Sequence, residues 1–395
     1  MTQASLPKTE RAAWLDLAAV PDPNRGLLAA ALALFSALAF ALCDIPTLSM
    51  LFLLTAVLFL YFLTRSFLSL LLYALPVIVL TYLTPLFPWL PHSLLPATAF
   101  LSLLMGGVTA GYLFFHFRDL RKFWYFYTLP VIAWGAVALL ARDPFRGLLA
   151  LLPLLLGAVF ALALYFYLSH NDAILFGVAA MALALTLAGL ITLALMGRLG
   201  EGLFTAAGNA AREAIVTFFS KANALTSDLG LPLLLSDVDL ANIAATTVNL
   251  LPALFVIALL VLSYLAWRTL LLLFLAWDRF PFLPRRLAVL SISPLCAVLF
   301  VLSYLISLFA NAGTVTMFGT VCQNFALILE LPLALTGMRS LFGHRRQRSC
   351  LSALLAIALI FSLFINPLVG IALAAFLGAF HVLASLFASR DEKGE

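Results

Sequence analysis

Two ionisable side chains, Glu330 and Arg268, stand inside long apolar runs of the sequence, where a charge is costly. A carboxylate in hydrocarbon must be paired, protonated or open to a polar path. Glu330 is therefore a candidate for proton coupling, or for contact with an ion or substrate on its way through. It sits in Gln323-Asn324-Phe325-Ala326-Leu327-Ile328-Leu329-Glu330-Leu331-Pro332, and Arg268 follows Trp267 in an earlier run. Taking Asp278 and Arg339 as the ends of their helices, each charge lies roughly 14–15 Å from its end at a rise of 1.5 Å per residue. Equal depth leaves three readings open: a structural or snorkelling pair, one or both side chains lining a pathway, or Arg268 marking the interface beside Trp267.

A second polar group precedes a proline. Asn242, Thr246, Thr247 and Asn249 lead into Pro252, which has no N–H and so frees a backbone carbonyl. Amides and hydroxyls beside a freed carbonyl can coordinate a small ligand, or they can hydrogen-bond to a neighbouring helix. The same two readings apply to Asn324 and to Asn366-Pro367. Catalytic patterns are lacking. The histidines, His92, His116, His170, His344 and His381, are far apart and make no HExxH, and there is no GxxxxGK[ST] or GxSxG. An enzyme is not expected, and neither is a metal or a cofactor. No filter-like loop or ring of carboxylates suggests a conduction pore.

The elements that carry these residues follow from composition. Of 395 residues 65% are apolar and 10% charged, with mean hydropathy +1.13, whereas soluble domains carry roughly 25% charged residues. The chain reads as an all-α, polytopic integral membrane protein. Apolar runs predict spans near 26–43, 48–64, 67–83, 94–117, 123–141, 147–168, 173–197, 245–277, 286–310, 314–338, 349–365 and 368–388. These give about twelve transmembrane helices, or ten if the closely spaced pairs 48–64/67–83 and 349–365/368–388 are kinked or re-entrant. The net charge of +5 is spread in short clusters between spans, which speaks for topology rather than for nucleic acid. The four cysteines, Cys43, Cys296, Cys322 and Cys350, lack CxxC spacing and read as buried thiols. Residues 1–25 are polar and do not resemble a signal peptide, so the first apolar run is expected to stay in the mature protein.

With the N-terminus placed in the cytoplasm, sixteen of the 22 Lys and Arg residues fall inside and five outside, Arg268 lying within a span. That bias puts both termini inside. The five exceptions, Arg142, Arg146, Arg198, Arg212 and Lys221, all lie between 142 and 221. Trp14, Trp89, Trp124 and Trp277 are expected at span ends. Residues 198–244 are too polar to cross. Phe204, Ala207, Ala211, Ile215, Phe218, Ala222 and Leu225 recur at helical spacing opposite Asn209, Arg212, Glu213 and Lys221, which predicts an amphipathic helix on the bilayer surface, or one that docks a partner. Ser236-Asp237-Val238-Asp239 then reads as a capping box that starts the next helix. The expected organisation is a cytoplasmic segment at 1–25, a bundle at 26–197, the interfacial region at 198–244, a second bundle at 245–388 and a cytoplasmic tail at 389–395.

Small residues mark close helix contacts. Ala29, Ala33, Ala37 and Ala41 form one stripe on the first span, and Gly107 and Gly111 form GxxxG on the fourth. These faces serve either packing within the chain or contact with another membrane subunit.

The order Asn249-Leu250-Leu251-Pro252-Ala253-Leu254, an Arg-bearing span, Phe282-Leu283-Pro284-Arg285-Arg286-Leu287, and then Gln323-Asn324 with Gly337 resembles the YybS-like family of bacterial membrane proteins of unknown function, most clearly over 240–345. The N-terminal part of that family is similar to the substrate-binding S components of energy-coupling-factor transporters, in which small residues at AxxxA spacing meet a shared coupling subunit. The resemblance implies a location in the bacterial cytoplasmic membrane and puts that contact on Ala29, Ala33, Ala37 and Ala41. The expectation is a protein that binds or transports a small molecule, in one form as a subunit beside a coupling subunit and a separate ATPase. The other expectation is a non-transporting scaffold or regulatory protein.

Overall fold

The computed structural model describes residues 23–64, 90–115, 125–141, 143–166, 168–197, 203–228, 236–275, 292–311, 317–343 and 350–391. The expected span at 67–83 lies outside them, as do Trp14, Trp89, Trp124 and Trp277. The described residues are helical, and no strand occurs among them. Five helical stretches are long and apolar enough to cross a membrane: Thr98–Phe115, Pro144–Tyr165, His170–Leu195, Asp239–Phe274 and Phe318–Leu341. Five more apolar helices, Gly26–Ala41, Thr47–Leu63, Thr128–Leu140, Pro294–Phe309 and Val369–Ser385, are shorter. A run of 16 residues rises only about 24 Å against a hydrocarbon core of about 30 Å.

Two compact units share the chain. The first contains helices α1 (Pro23–Ala41), α2 (Pro46–Thr64), α3 (Leu90–Phe115), α4 (Tyr125–Leu140), α5 (Pro144–Leu149), α6 (Leu152–Tyr165) and α7 (His170–Leu195). The α1–α2 hairpin is fastened by Ser49, whose hydroxyl donates to the Ala39 carbonyl at 2.7 Å, and by Phe35 stacked on Phe59 at 5.3 Å. Pro153 cannot donate to the carbonyl of Leu149, which explains why the expected span at 147–168 is broken into α5 and α6. Asp143 caps α5 by accepting from the Phe145 N–H at 3.2 Å, and Ser169 caps α7 by accepting from Asp172 at 3.2 Å. Gly197, with φ of 69°, takes the left-handed position after α7.

α3 is the inner helix of this unit, with Leu104, Met105, Val108, Ala110, Tyr112 and Leu113 all buried. Its glycines let other helices close in. A methyl at Gly107 would meet Leu156 at 2.8 Å, and one at Gly157 of α6 would run into Ala110 and Gly111. Gly107 and Gly111 therefore serve packing within the chain. So does the alanine stripe: Ala29, Ala33 and Ala37 are buried in α1, which packs on α2, α3 and α4, and only Ala41 is half-buried. Of the two readings of the stripe, the burial of Ala29, Ala33 and Ala37 accords with packing within the chain, and Ala41 keeps part of its surface.

The second unit contains α10 (Pro294–Asn311), α11 (Met317–Gly343), α12 (Cys350–Ile365) and α13 (Pro367–Asp391). Ala297, Phe300, Leu333, Ala334, Leu359, Ala374, Ala375, Ala379 and Val382 form its buried core. α11 and α13 approach until backbones touch: a methyl at Gly337 would strike the Ala374 carbonyl, and one at Gly378 the Leu333 carbonyl. The break at Asn366-Pro367 falls where the sequence places it.

Residues 198–244 yield two helices, α8 (Leu203–Asp228) and the start of α9 (Asp237–Leu275). Ala211 and Ile215 of α8 are half-buried while Asn209, Arg212 and Glu213 are exposed, but Ala207 of the expected apolar face is exposed as well, so the amphipathic pattern holds in part. Ser236 accepts from the Asp239 N–H at 3.2 Å, and its hydroxyl donates to the Asp239 carboxylate at 2.6 Å, so the reciprocal half of the box goes to the side chain rather than the backbone. The border between units runs through α9 rather than ahead of it: residues 232–258 cluster with the second unit and 259–288 with the first.

Candidate functional site

Pro252 lies inside α9 and Pro332 inside α11, so each helix carries a point where the ladder of backbone hydrogen bonds fails. Beside the first of these points a side chain of α11 bonds to the backbone of α9. Asn324 of α11 accepts from the Ala253 N–H at 3.0 Å through Oδ1. Its Nδ2 donates to the Asn249 carbonyl at 2.9 Å and to the Thr320 carbonyl at 2.9 Å. In an unbroken helix the Ala253 N–H would bond to the Asn249 carbonyl. The amide of Asn324 bonds to both of these groups.

The structure thus unites two of the expected site residues, Asn249 and Asn324, as interhelical hydrogen bonding. Thr246 is not part of this contact. Its hydroxyl donates to the Asn242 carbonyl at 2.8 Å, as Thr247 does to Ile243 at 2.8 Å. Both are bonds within α9.

Glu330 is partly buried, six residues further along α11. Ala326, Leu333, Ala334 and Gly337, which share its face at helical spacing, are all buried, so the carboxyl belongs to the inward side of α11. It has no hydrogen bond or ion pair among the described residues of its unit. Arg268 is partly buried in the first unit and likewise lacks a polar partner there, while its neighbour Trp267 is fully packed.

One polar cluster was not expected. Arg146 of α5 donates through Nη1 to Asp44 at 2.6 Å and through Nη2 to the carbonyls of Phe40 at 3.1 Å and Ala41 at 2.9 Å. Those carbonyls lie at the C-terminal end of α1, where a cation also meets the negative end of the helix dipole, and the Phe40 carbonyl accepts from the Cys43 N–H as well at 3.3 Å. The Cys43 thiol lies 2.8 Å from Nη2, and the guanidinium stands 5.9 Å from the Phe40 ring centre. Arg146 counted against the charge bias because only its position between spans was visible; here it is bound as a cap. The signal available was Asp44, an acidic residue in the first interspan turn.

At the start of α7, His170 Nδ1 accepts from the Trp267 indole N–H at 3.2 Å. Two tryptophans in the first unit, Trp134 and Trp267, are thus interior side chains. No protein-family model matches this chain, and no curated protein or solved structure matches it either.

Proposed function

We propose that this chain is a multi-pass protein of the bacterial cytoplasmic membrane, with both termini in the cytoplasm, that binds or moves a small molecule. The observation that carries the reading is Glu330, a carboxyl on the inward face of an apolar helix, without a polar partner in its own unit. Such a group is retained at a cost unless something uses it. The excess of Lys and Arg on one side of the expected spans supports the orientation. The resemblance to YybS-like proteins supports the bacterial setting. Twelve crossings, the five long apolar helices being the plainest, remain the count that the sequence favours.

A coupling subunit with its ATPase is a compatible arrangement, but its contact is proposed away from Ala29, Ala33 and Ala37, which are buried. The alternative, a membrane scaffold or regulatory protein, rests on α8, whose Asn209, Arg212 and Glu213 are exposed for a partner.

The test is mass spectrometry of small molecules and proteins that co-purify with the tagged chain in native lipid, for wild type and Glu330→Gln. The expected result is a small molecule recovered in near-equal amount with wild type and lost with Glu330→Gln, at unchanged thermal stability. Equal recovery with both proteins removes Glu330 from the site. Recovery of signalling or envelope proteins without a small molecule establishes the scaffold instead.

A further inference from the structure

We propose that His170 and Trp267 form a proton-sensitive latch that fastens α7 to the second half of α9 while the imidazole is neutral and releases it on protonation. The bond direction carries the argument. Trp267 can only donate, so the His170 Nδ1 lone pair must accept at the 3.2 Å separation. An imidazolium carries protons on both nitrogens and has no lone pair for the indole. Protonation therefore turns an attractive contact into two donors facing each other.

The surroundings leave the indole little choice of partner. Trp267 is buried against Phe160, with ring centres 5.3 Å apart, and the His170 ring meets it edge-on at 6.2 Å. Further along the same two helices, Gly177 receives Ser263, whose buried hydroxyl has no hydrogen-bond partner. The bond between His170 and Trp267 is thus a polar tie in a contact that is otherwise lined by packed rings and by Ser263.

His170 is the first residue of α7. The charged and titratable groups on the elements around it are Asp172 of the same first turn, Tyr165 at the end of α6, Arg146 of α5, and Tyr264 and Arg268 on α9. Asp172 is held by the Ser169 hydroxyl at 2.5 Å. Release frees the first turn of α7 to turn His170 toward water, so acidity at this end of the unit is converted into loosening of α7 from α9. The latch is independent of the Glu330 reading, since both of its residues lie in the first unit.

The test uses the full chain in lipid nanodiscs with ¹⁵N-labelled tryptophan, the Trp267 indole signal being assigned from its loss in Trp267→Phe. The chain is titrated from about pH 8 to about pH 5, across the range in which histidine changes charge. The expected result is an upfield shift of the Trp267 indole proton whose midpoint coincides with that of the His170 ring signals. His170→Gln, which retains an acceptor but does not titrate, is expected to hold the signal fixed across the range. A Trp267 signal that stays put while His170 titrates overturns the latch, and so does an equal shift in His170→Gln. Should that variant fail to fold, the agreement or disagreement of the two wild-type midpoints decides.

Discussion

The side-chain amide of Asn324 bonds at once to the Asn249 carbonyl and to the Ala253 N–H, on either side of the proline of α9. Removing it takes a polar partner from both groups. Asn324→Leu is expected to lower stability by about 1–2 kcal/mol, the scale of interhelical hydrogen bonds in membranes and of unsatisfied polar groups. Hydrogen exchange at the Ala253 amide should quicken before exchange elsewhere in α9. Unchanged protection at Ala253 would show that the backbone closes its own ladder.

Glycine has unequal importance along this chain. Gly337→Ala and Gly378→Ala each push a methyl into a facing backbone carbonyl, and thermal unfolding should register a loss of about 1–3 kcal/mol, the usual cost of overpacking. Gly135→Ala places its methyl where nothing lies within 4 Å. In α4 that exchange is expected to stabilise by up to about 1 kcal/mol through helix propensity.

Arg146 and Asp44 are bonded, yet their substitutions should differ. Asp44 is 68% exposed on its side chain, so losing the ion pair through Asp44→Asn should cost less than about 1 kcal/mol. Arg146→Ala also takes the guanidinium donor from the Ala41 carbonyl and one of two donors from that of Phe40, and its cost is expected to reach about 1–3 kcal/mol. Comparable losses from the two substitutions would mean that the ion pair, not the cap, carries the stability.

The alanine stripe offers a separate check. Ala33→Leu inserts a large side chain at a fully buried position of α1, and the purified protein alone should lose about 1–3 kcal/mol. A variant of unchanged stability that fails to recover another membrane subunit would restore the docking role.

Local signals in the sequence were readable where physics is local. The Ser236 cap, the amphipathic α8 and the break at Asn366-Pro367 each depend on residues within a few positions of one another. The inner faces of the helices were not readable, because the outward residues are as apolar as the inward ones. Leu139 is 88% exposed and Phe309 79%, whereas Leu333 and Phe300 are wholly buried. Periodicity has nothing to separate when lipid replaces water on the outside. The polar contacts that organise the units join residues far apart: Asn324 with Ala253 at 71 positions, His170 with Trp267 at 97 and Asp44 with Arg146 at 102. Each partner was visible as a residue type, and the pairing was not.

The Arg146 cap has a consequence for how the chain is made. Asp44 and the last carbonyls of α1 leave the ribosome 102 residues ahead of the arginine that binds them. At about 5–20 residues per second, the first hairpin waits roughly 5–20 s before its end is closed. During that interval the turn after α1 is held only by the hairpin's own contacts, such as Ser49 on Ala39. Synthesis of α5 therefore completes an element begun at α1, and a nascent chain halted before residue 146 carries a first hairpin that is assembled but not yet sealed.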